Sequence, residues 1–307
     1  MKVLLTGAGG FVGRHVAQRL AVAGHGVRAL TRNPEGRVKV LPGIDEAVGW
    51  NPLEAIPLPR VYQGIGGIVH LAGEPVVGLW TESKRRAIRD SRVVGTRHLV
   101  QGLASLPPGE RPGVLVSASA IGYYGDRGEE VLTEASSPGT DAEFLASVTR
   151  AWEHEARQAE DLGLRVVRLR IGIVLGREGG ALGAMLTPFK LGLGGPLGDG
   201  RQWWSWIHRY DLVTLAISTR DDVSGAVNAT APEPVRQREF AKELGRVLHR
   251  PAVLPAPAFA LRTALGDFSS ELLGSKRVLP RAAEAAGISF AFPTLSDALA
   301  EIVAEAS

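Results

Sequence analysis

Short apolar runs alternate with longer amphipathic stretches along most of the chain. The run Val3–Thr6 is aliphatic and β-branched, which is typical of a strand buried on both faces. An amphipathic stretch follows as far as Gly24, and a second strand is predicted over Val27–Leu30. Further apolar runs lie within residues 66–75, 113–120 and 165–176. This alternation predicts an α/β fold, a Rossmann-type doubly wound parallel sheet with a smaller C-terminal α+β lobe.

The turn between the first strand and the first helix is rich in glycine. Gly7, Gly10 and Gly13 have the spacing GxxGxxG. The first glycine permits a tight turn, the second lets backbone N–H groups approach a pyrophosphate, and the third lets the helix pack close to the strand. An ordinary βα-turn uses glycines in the same way, but the strand before them and the helix and strand after them favour a dinucleotide site.

Two residues at the end of the second predicted strand bear on the choice of cofactor. An NAD site usually has Asp or Glu there, which binds the ribose 2′-hydroxyl. Here the residues are Thr31 and Arg32, a hydroxyl and a guanidinium that suit a 2′-phosphate. The sequence therefore predicts NADP rather than NAD as cofactor. The alternative is that Arg32 is a solvated surface arginine.

Composition excludes several kinds of site and partner. The 307 residues include no cysteine, which excludes disulfides and thiolate chemistry, and the seven histidines show no metal-ligand spacing. The formal charge is only +3, and the pI of 9.4 reflects nearly balanced acids and bases, so we expect no nucleic-acid partner. No apolar run reaches the roughly 18 residues of a membrane span, and the first residues do not resemble a signal peptide. We expect a soluble, cytoplasmic protein with no metal and no membrane partner.

Several segments carry a family resemblance. In their order, GGIVHLAGEP, SRVVGTRHLV, GVLVSASAIGYYGD and RVVRLRIGIVLG resemble the extended short-chain dehydrogenase/reductase family, the group of nucleotide-sugar epimerases and dehydratases. Together with LGLGGPLGDGRQWWSWIH and FAKELGRVLHRPAVLPAPAFALR they resemble its epimerase-like subfamily 39U1, which has a small C-terminal domain. The chain then divides into a cofactor-binding domain, residues 1–175 and 207–229, and a substrate lobe, residues 176–206 and 230–307.

The resemblance also implies which residues meet the cofactor. Those expected at the pyrophosphate are Gly7, Gly10, Phe11, Val12 and Gly13, with Arg32 at the 2′-phosphate. Those expected along the adenosine and the nicotinamide ribose are His70, Leu71, Ala72 and Gly73. Ser117 and Arg170 complete the predicted cofactor set.

The catalytic residues of the family are matched only in part. Ser119 matches the catalytic Ser/Thr that hydrogen-bonds the reacting oxygen, although Ser117 and Ser119 would also serve to cap the strand end. The family's proton carrier is a tyrosine four residues before a lysine on the next helix. Counted from Ser119, these two places hold Phe144 and Val148, so the usual pair is absent.

Three other side chains are candidates for the proton carrier. Tyr124 matches the strand-end tyrosine of the family, and Tyr123 directly precedes it. Glu74 follows a strand end that should face the cleft, where a buried carboxylate would serve as a base. The alternative for Glu74 is an acid of a surface loop.

Basic and aromatic residues of the later part of the chain suggest an anionic substrate. A diphosphate would suit a group formed by Arg170, Lys190, Arg201 and His208. Three tryptophans offer stacking surfaces, although at least one of them is expected to pack in the interior: Trp203, Trp204 and Trp206.

Two hypotheses of function follow. The first is an NADP-dependent oxidoreductase or epimerase with unusual acid/base residues and a small-molecule substrate, by resemblance an anionic sugar nucleotide. The second is an NADP(H)-binding sensor or regulator without catalysis. Both a monomer and a homodimer are compatible with the sequence.

Overall fold

The computed structural model describes residues 1–217 and 223–304 of the chain. The strands are β1 (Lys2–Thr6), β2 (Gly26–Thr31), β3 (Glu46–Gly49), β4 (Ile65–His70), β5 (Val114–Ala120), β6 (Val131–Leu132), β7 (Arg165–Ile171), β8 (Ile173–Leu175), β9 (Trp203–Trp204), β10 (Trp206–His208), β11 (Gly225–Ala229), β12 (Val235–Arg236) and β13 (Arg277–Val278). The α-helices are α1 (Gly13–Val22), α2 (Glu82–Ala104), α3 (Phe144–Arg157), α4 (Gly180–Lys190), α5 (Arg209–Ile217), α6 (Gln237–Val247), α7 (Ala258–Leu265), α8 (Ser269–Leu273), α9 (Arg281–Ala285) and α10 (Leu295–Ala304).

Seven of these strands form one parallel sheet. Its order is β11-β7-β5-β4-β1-β2-β3, and every neighbouring pair is parallel. The order reverses between β1 and β4, because the chain first adds strands on one side of β1 and then crosses to the other side. Open sheets of this kind bind ligands at the carboxyl ends of the strands beside such a switch point. The predicted Rossmann-type doubly wound sheet is therefore confirmed.

Both faces of this sheet are covered by helices. Leu5 and Val116 belong to the core on the side of α1 and α5, whereas Leu4 and Leu115 belong to the core on the side of α2 and α3. Neighbouring residues of a strand point to opposite faces. A strand that is covered on both sides is therefore apolar at nearly every position, which explains the uninterrupted apolar runs of the sequence.

The C-terminal part of the chain contributes a separate, smaller core. Helices α4, α6 and α10 enclose Trp204, Trp206 and Phe240, all of them buried. Trp203 is half-buried, and the guanidinium groups of Arg236 and Arg277 lie over its ring at 4.0 and 4.5 Å. Two of the three tryptophans are thus core residues rather than stacking surfaces. The predicted domain boundaries stay a prediction.

The two parts of the chain are joined by short ladders. β13 pairs with β6, which follows β5, and β10 pairs with β8, which follows β7. The C-terminal part is thereby attached beside the carboxyl ends of the central strands. Among the residues that the structure describes, no helix has both the length and the apolar character needed to cross a bilayer.

Candidate functional site

The glycine turn after β1 is too tight for side chains at two of its positions. Gly7 has a φ of +74°, and a Cβ there would lie 2.8 Å from the carbonyl carbon of Leu71. A Cβ on Gly13 would lie 2.1 Å from the carbonyl oxygen of Gly7. The amides of Phe11 and Val12, just before α1, have no hydrogen-bond partner among the described residues. Free amides at the start of a helix bind phosphate, so these residues fit the pyrophosphate of a dinucleotide.

Gly10 and Phe11 connect this turn to the rest of the site. The Gly10 amide donates to the carbonyl oxygen of Gly7 at 2.9 Å, which closes the turn. The Phe11 ring lies against the loop after β8, where Cβ atoms on Gly176 and Gly179 would approach it to 2.7 and 2.9 Å. This loop contains glycines because the ring leaves no room for side chains.

Arg32 lies at the end of β2 with its side chain exposed. It forms no hydrogen bond or ion pair with any residue that the structure describes. Thr31 accepts a hydrogen bond from the amide two residues later at 3.3 Å, which shapes the turn. Since Thr6 pairs with Leu30, the ends of β1 and β2 lie side by side, and Arg32 is placed near the glycine turn.

His70, at the end of β4, is sealed inside the protein. Its Nδ1 lies 2.7 Å from the hydroxyl of Thr6, and its Nε2 lies 2.9 Å from the hydroxyl of Thr96. The Thr6 oxygen also accepts from the amides of Leu71 and Ala72, so its own proton is directed at Nδ1 and Nε2 carries the imidazole proton. Burial lowers the pKa of His70 to about 4, so the ring is neutral near pH 7. The expectation that this side chain lines a ribose is corrected, and only the backbone after it adjoins the glycine turn.

The two serines of β5 point to the face covered by α2 and α3. The Ser117 hydroxyl is buried and donates to the carbonyl of Ala118 at 3.2 Å. The Ser119 hydroxyl donates to a carboxylate oxygen of Glu153 at 2.7 Å. The proton of Ser119 is therefore directed into the protein, and its lone pairs are left to accept a hydrogen bond.

Arg170 lies at the centre of a buried polar cluster. Its Nε and Nη2 donate to the two oxygens of Glu153 at 2.8 and 3.0 Å, and its Nη1 donates to the Tyr124 hydroxyl at 2.9 Å. Burial would lower the pKa of Arg170, but its hydrogen bonds and attraction to Glu153 outweigh this effect and raise the pKa. The cluster engages all three nitrogens of Arg170, and its predicted contact with the cofactor stays a prediction.

The two tyrosines after β5 differ in what their hydroxyls contact. Tyr124 is fully buried and donates to the side-chain oxygen of Asn228 at 2.7 Å, and burial raises its pKa to about 12. Tyr123 is half-buried, and the Arg170 guanidinium lies over its ring at 3.5 Å. No described residue is hydrogen-bonded to the Tyr123 hydroxyl. Of the two phenols, only that of Tyr123 is left uncommitted.

Glu74 lies in the loop after β4, directly after the exposed Gly73. Its side chain is 34% exposed, and its carboxylate forms an ion pair with Lys84 at 2.6 Å. The structure thus corrects the expectation of a buried base at this position. Glu74 is a paired acid at the surface.

The helix that carries the family's Tyr–Lys pair presents other residues to the sheet. Glu153 marks the face of α3 that packs on the sheet. Thr149 and Leu145 lie on the same face, one and two turns closer to the start of the helix, and both are buried. Phe144, the position that the sequence assigns to the tyrosine, packs against Trp80 at 5.1 Å between ring centres. The positions counted from Ser119 are Phe144 and Val148, and those on the face of Glu153 are Leu145 and Thr149. Neither pair contains a tyrosine or a lysine.

A cavity of about 630 Å³ adjoins the start of α3. Its walls come from both parts of the chain and include Trp80, Phe144, Arg85, Arg262 and Lys276. The Arg85 guanidinium lies over the Phe144 ring at 4.8 Å. Arg262, on α7, forms no hydrogen bond or ion pair with any described residue.

Acidic residues also line this cavity, but two of them are neutralised by its cations. Asp267 pairs with Arg85, and Glu271 pairs with Lys276 at 3.2 Å. Two further acids, Asp126 and Glu143, bring the walls to four carboxylates and three cations. Such a lining, with its aromatic surface, suits a small polar molecule.

The four basic residues that the sequence groups around a diphosphate are not brought together. Arg170 lies in the buried cluster, and His208 pairs with Glu301 of α10 at 3.0 Å. Burial also lowers the pKa of His208 to about 4. Lys190 and Arg201 are exposed, and the cavity walls, so far as described residues form them, include none of the four. Within residues 1–217 and 223–304, no cluster of three or more His, Asp or Glu side chains is arranged to hold a metal ion.

Two family models match the chain. The model described as NAD dependent epimerase/dehydratase family matches residues 3–228. The chain belongs to this family. A second model, a domain of unknown function named DUF1731, matches residues 256–302.

Relatives within the epimerase/dehydratase family match nearly the whole chain. An Arabidopsis thaliana protein named as the chloroplastic homolog of epimerase family protein SDR39U1 is 41% identical, over 99% of this chain and 87% of that protein. The crystal structure of human SDR39U1 with NADPH is 34% identical, with a TM-score of 0.87 over 99% of each chain. A Corynebacterium glutamicum structure named as a nucleoside-diphosphate sugar epimerase is 33% identical, with a TM-score of 0.77 over 99% of this chain and 58% of that one. The resemblance inferred from the motifs is confirmed. Since one relative is named chloroplastic, a cytoplasmic location stays a prediction.

Sequence reasoning missed two residues of the buried cluster, Glu153 and Asn228. Glu153 lies on the buried face of α3, opposite Arg170, which lies in β7 and was predicted to meet the cofactor. Opposite charges at two positions predicted to be buried were a signal that they form a pair. Asn228 gave no such signal, because its side chain is held by Tyr124 and by the carbonyl of Leu279, both of them distant along the chain.

Proposed function

We propose that this family member is an NADP(H)-dependent oxidoreductase or epimerase that acts on a small anionic molecule, a sugar nucleotide. The glycine turn with its free amides supports the cofactor, and so does the human relative that was crystallised with NADPH. The Corynebacterium glutamicum relative, whose name is that of a nucleoside-diphosphate sugar epimerase, supports the substrate class. When bound, the nicotinamide supplies or accepts a hydride.

The observation that carries the proposal of catalysis is the cavity at the start of α3. It adjoins the helix on which the family carries its proton donor, and it is separate from the glycine turn. A protein that only senses the cofactor needs no second binding site. Its aromatic rings support a sugar derivative there, and the uncommitted guanidinium of Arg262 is the one group of its walls that would suit an anionic substituent.

We assign the proton transfer to Tyr123 and the orientation of the substrate to Ser119. Neither side chain belongs to the described walls of the cavity, so the reacting group of the substrate would extend from the cavity toward the end of β5. The support for Tyr123 is its uncommitted hydroxyl, whereas that of Tyr124 is held by Asn228 and Arg170. Because the Ser119 proton is donated to Glu153, Ser119 accepts a hydrogen bond from a substrate hydroxyl. In the oxidation of an alcohol Tyr123 would take the proton of the reacting hydroxyl, and Ser119 would accept from a neighbouring substrate hydroxyl, because one proton cannot serve both.

The test is a titration with NADPH followed by a search for turnover. Nicotinamide fluorescence reports binding, and loss of the reduced-nicotinamide signal with a sugar nucleotide or a small carbonyl compound reports reaction. Replacement Tyr123→Phe is expected to lower turnover about 100-fold or more at unchanged NADPH affinity, the usual size for loss of a general acid or base. Tyr210→Phe removes an exposed phenol on α5 and serves as the matched control.

Two outcomes would contradict the proposal in different ways. Tight NADPH binding without turnover of any compound would favour the rival hypothesis of a cofactor sensor. The absence of the Tyr–Lys pair is the observation that favours that rival. Absence of NADPH binding would refute both hypotheses.

The assignment of Arg32 to the 2′-phosphate gives a separate prediction. Replacement Arg32→Asp is expected to weaken NADPH binding by roughly tenfold or more, because a charge-assisted hydrogen bond is lost and a repulsive charge is added. NADH binding is expected to be kept or improved, since Asp accepts a hydrogen bond from the ribose 2′-hydroxyl. An unchanged ratio of the two dissociation constants would show that Arg32 is only a surface residue.

A further inference from the structure

Two segments of the C-terminal part, residues 190–198 and 250–258, lie side by side. The amide of Leu254 in the second segment donates to the carbonyl of Gly194 in the first at 3.1 Å. A Cβ on Gly195 would lie 2.1 Å from the carbonyl oxygen of Leu254, so the close approach of the two backbones requires glycine there. The two segments therefore form one continuous surface.

This surface exposes large apolar side chains. Five of them, which we call the apolar strip, are between 49% and 72% exposed: Leu191, Leu193, Val253, Leu254 and Phe259. Phe259 directly follows the second segment and belongs to α7, a helix without any buried residue. None of the five belongs to the walls that described residues give the cavity at α3. Exposed apolar side chains this close together mark an interaction surface that the candidate site does not explain.

Four cations border the apolar strip. Lys190 and Arg250 precede it in the two segments, where the Nε of Arg250 donates to the carbonyl of Lys190 at 3.0 Å, and Arg238 and Lys242 lie on α6. None of the four forms an ion pair with a described residue. Residues 190–198 and 250–258 contain no acid, and the first acid after them, Asp199, accepts from a backbone amide of its own turn.

The side of α6 that adjoins the apolar strip is its basic side. A Cβ on Gly245 would lie 2.7 Å from the Cβ of Ala252, so Gly245 faces the second segment. At 3.6 residues per turn, Arg238 and Lys242 project roughly 20° and 60° around the helix from Gly245, whereas the two acids of α6 project more than about 100° away. One of these acids, Glu243, pairs with an arginine of the helix itself. Unpaired positive charge is thus concentrated beside the apolar strip.

We propose that the apolar strip and its four cations dock on the surface of an anionic lipid bilayer. The apolar side chains would enter the boundary between headgroups and acyl chains, and the lysine and arginine side chains would contact lipid phosphates. Charge complementarity favours this partner over a second copy of the chain, because a two-fold contact would place the four cations against themselves. The expectation of no membrane partner rested on the lack of a membrane-spanning run, which docking at the surface does not require.

The test is co-sedimentation of the full chain with vesicles of phosphatidylcholine that contain about 30% phosphatidylserine, and with vesicles of phosphatidylcholine alone. The wild type is expected to bind the anionic vesicles far more tightly than the neutral ones, and rising salt is expected to weaken that binding. The double variant Arg238→Gln, Lys242→Gln is expected to bind the anionic vesicles roughly 10- to 30-fold more weakly, since each cation near such a surface contributes about fivefold.

The apolar strip is tested separately by Val253→Ser. This variant is expected to bind the anionic vesicles about fivefold or more weakly, because an apolar side chain is lost from the interface. Its matched control is Val22→Ser, which changes a valine of similar exposure on α1. The control for the double variant is Arg60→Gln, Arg157→Gln, which removes two exposed arginines before β4 and β7, at the opposite end of the sheet.

All of these variants change exposed side chains, so their NADPH affinity and thermal unfolding are expected to match the wild type. A wild type that does not bind anionic vesicles overturns the inference. Equal weakening by the variants and their controls also overturns it, because a general attraction of a basic chain would then explain the binding. Self-association that Val253→Ser abolishes, without vesicle binding, would assign the apolar strip to a second copy instead. The proposed function is tested independently by NADPH binding and turnover.

Discussion

Replacement Arg170→Met is expected to lower the free energy of unfolding by about 3 kcal/mol, because the buried carboxylate of Glu153 loses its closest counter-charge. Arg170 and Glu153 are 3% and 1% exposed, and two parallel hydrogen bonds join them. The groups that stay beside the carboxylate are the Ser119 hydroxyl and, in an ion pair at 3.8 Å, the Arg168 guanidinium. The midpoint and slope of a urea unfolding curve measure the effect.

The matched control for this variant is Arg246→Met, which breaks an exposed pair with Glu243 on α6. Surface pairs contribute about 0–1 kcal/mol, so little loss is expected there. The double variant Glu153→Gln, Arg170→Met should lose less than the sum of the two single changes, because the two side chains are in direct contact and their mutual interaction can be lost only once. A loss from Arg170→Met no larger than that of the control would show that the cluster is not closed as described.

Replacement Gly13→Ala is expected both to destabilise the fold and to weaken cofactor binding. The new methyl group would lie 2.1 Å from the carbonyl oxygen of Gly7, which is backbone and has no alternative rotamer to adopt. Overpacking of this kind costs about 1–3 kcal/mol. Relief requires the turn and the start of α1 to move apart, which displaces the amides of Phe11 and Val12. We therefore expect NADPH affinity to fall by about tenfold or more, since 1.4 kcal/mol corresponds to one factor of ten.

The control for Gly13→Ala is Gly109→Ala, a position where an added Cβ meets no atom within 4 Å. That variant should bind NADPH and unfold like the wild type. NADPH titration and thermal unfolding of the two proteins separate a specific clash from the general effect of alanine. Equal behaviour of the two variants would mean that the glycine turn tolerates a side chain and is not the tight phosphate site described.

The strands and the glycine turn were predictable from the sequence, because local residue patterns mark them. The apolar runs of β1 and β5 follow from burial on both faces, and the glycines of the first turn follow from backbone crowding between neighbouring segments. The position of Arg32 at the end of β2 was also predictable, because the end of a strand is visible in the local sequence. Each of these features is visible in the sequence within a few positions, as periodicity, glycine spacing or a strand end, although the crowding at Gly7 comes from Leu71 and Ala72.

The roles of the candidate catalytic residues were not predictable in this way. The motif presents Tyr123 and Tyr124 as equals, but the partner of Tyr124 is Asn228, 104 residues further along the chain. Ser119 looked like a free donor until the fold placed Glu153, 34 residues away, at its hydroxyl. Glu74 looked like a base until Lys84 was placed beside it.

The sequence by itself determined the α/β fold, the dinucleotide turn and the absence of the Tyr–Lys pair, because periodicity, glycine spacing and residue identity are local properties. Only the tertiary structure decided which polar groups are paired in the interior, which phenol keeps an uncommitted hydroxyl, and where a cavity opens beside α3. These depend on contacts between distant segments. The energy of a buried charge or hydroxyl is set by the groups that the fold brings to it rather than by its neighbours along the chain.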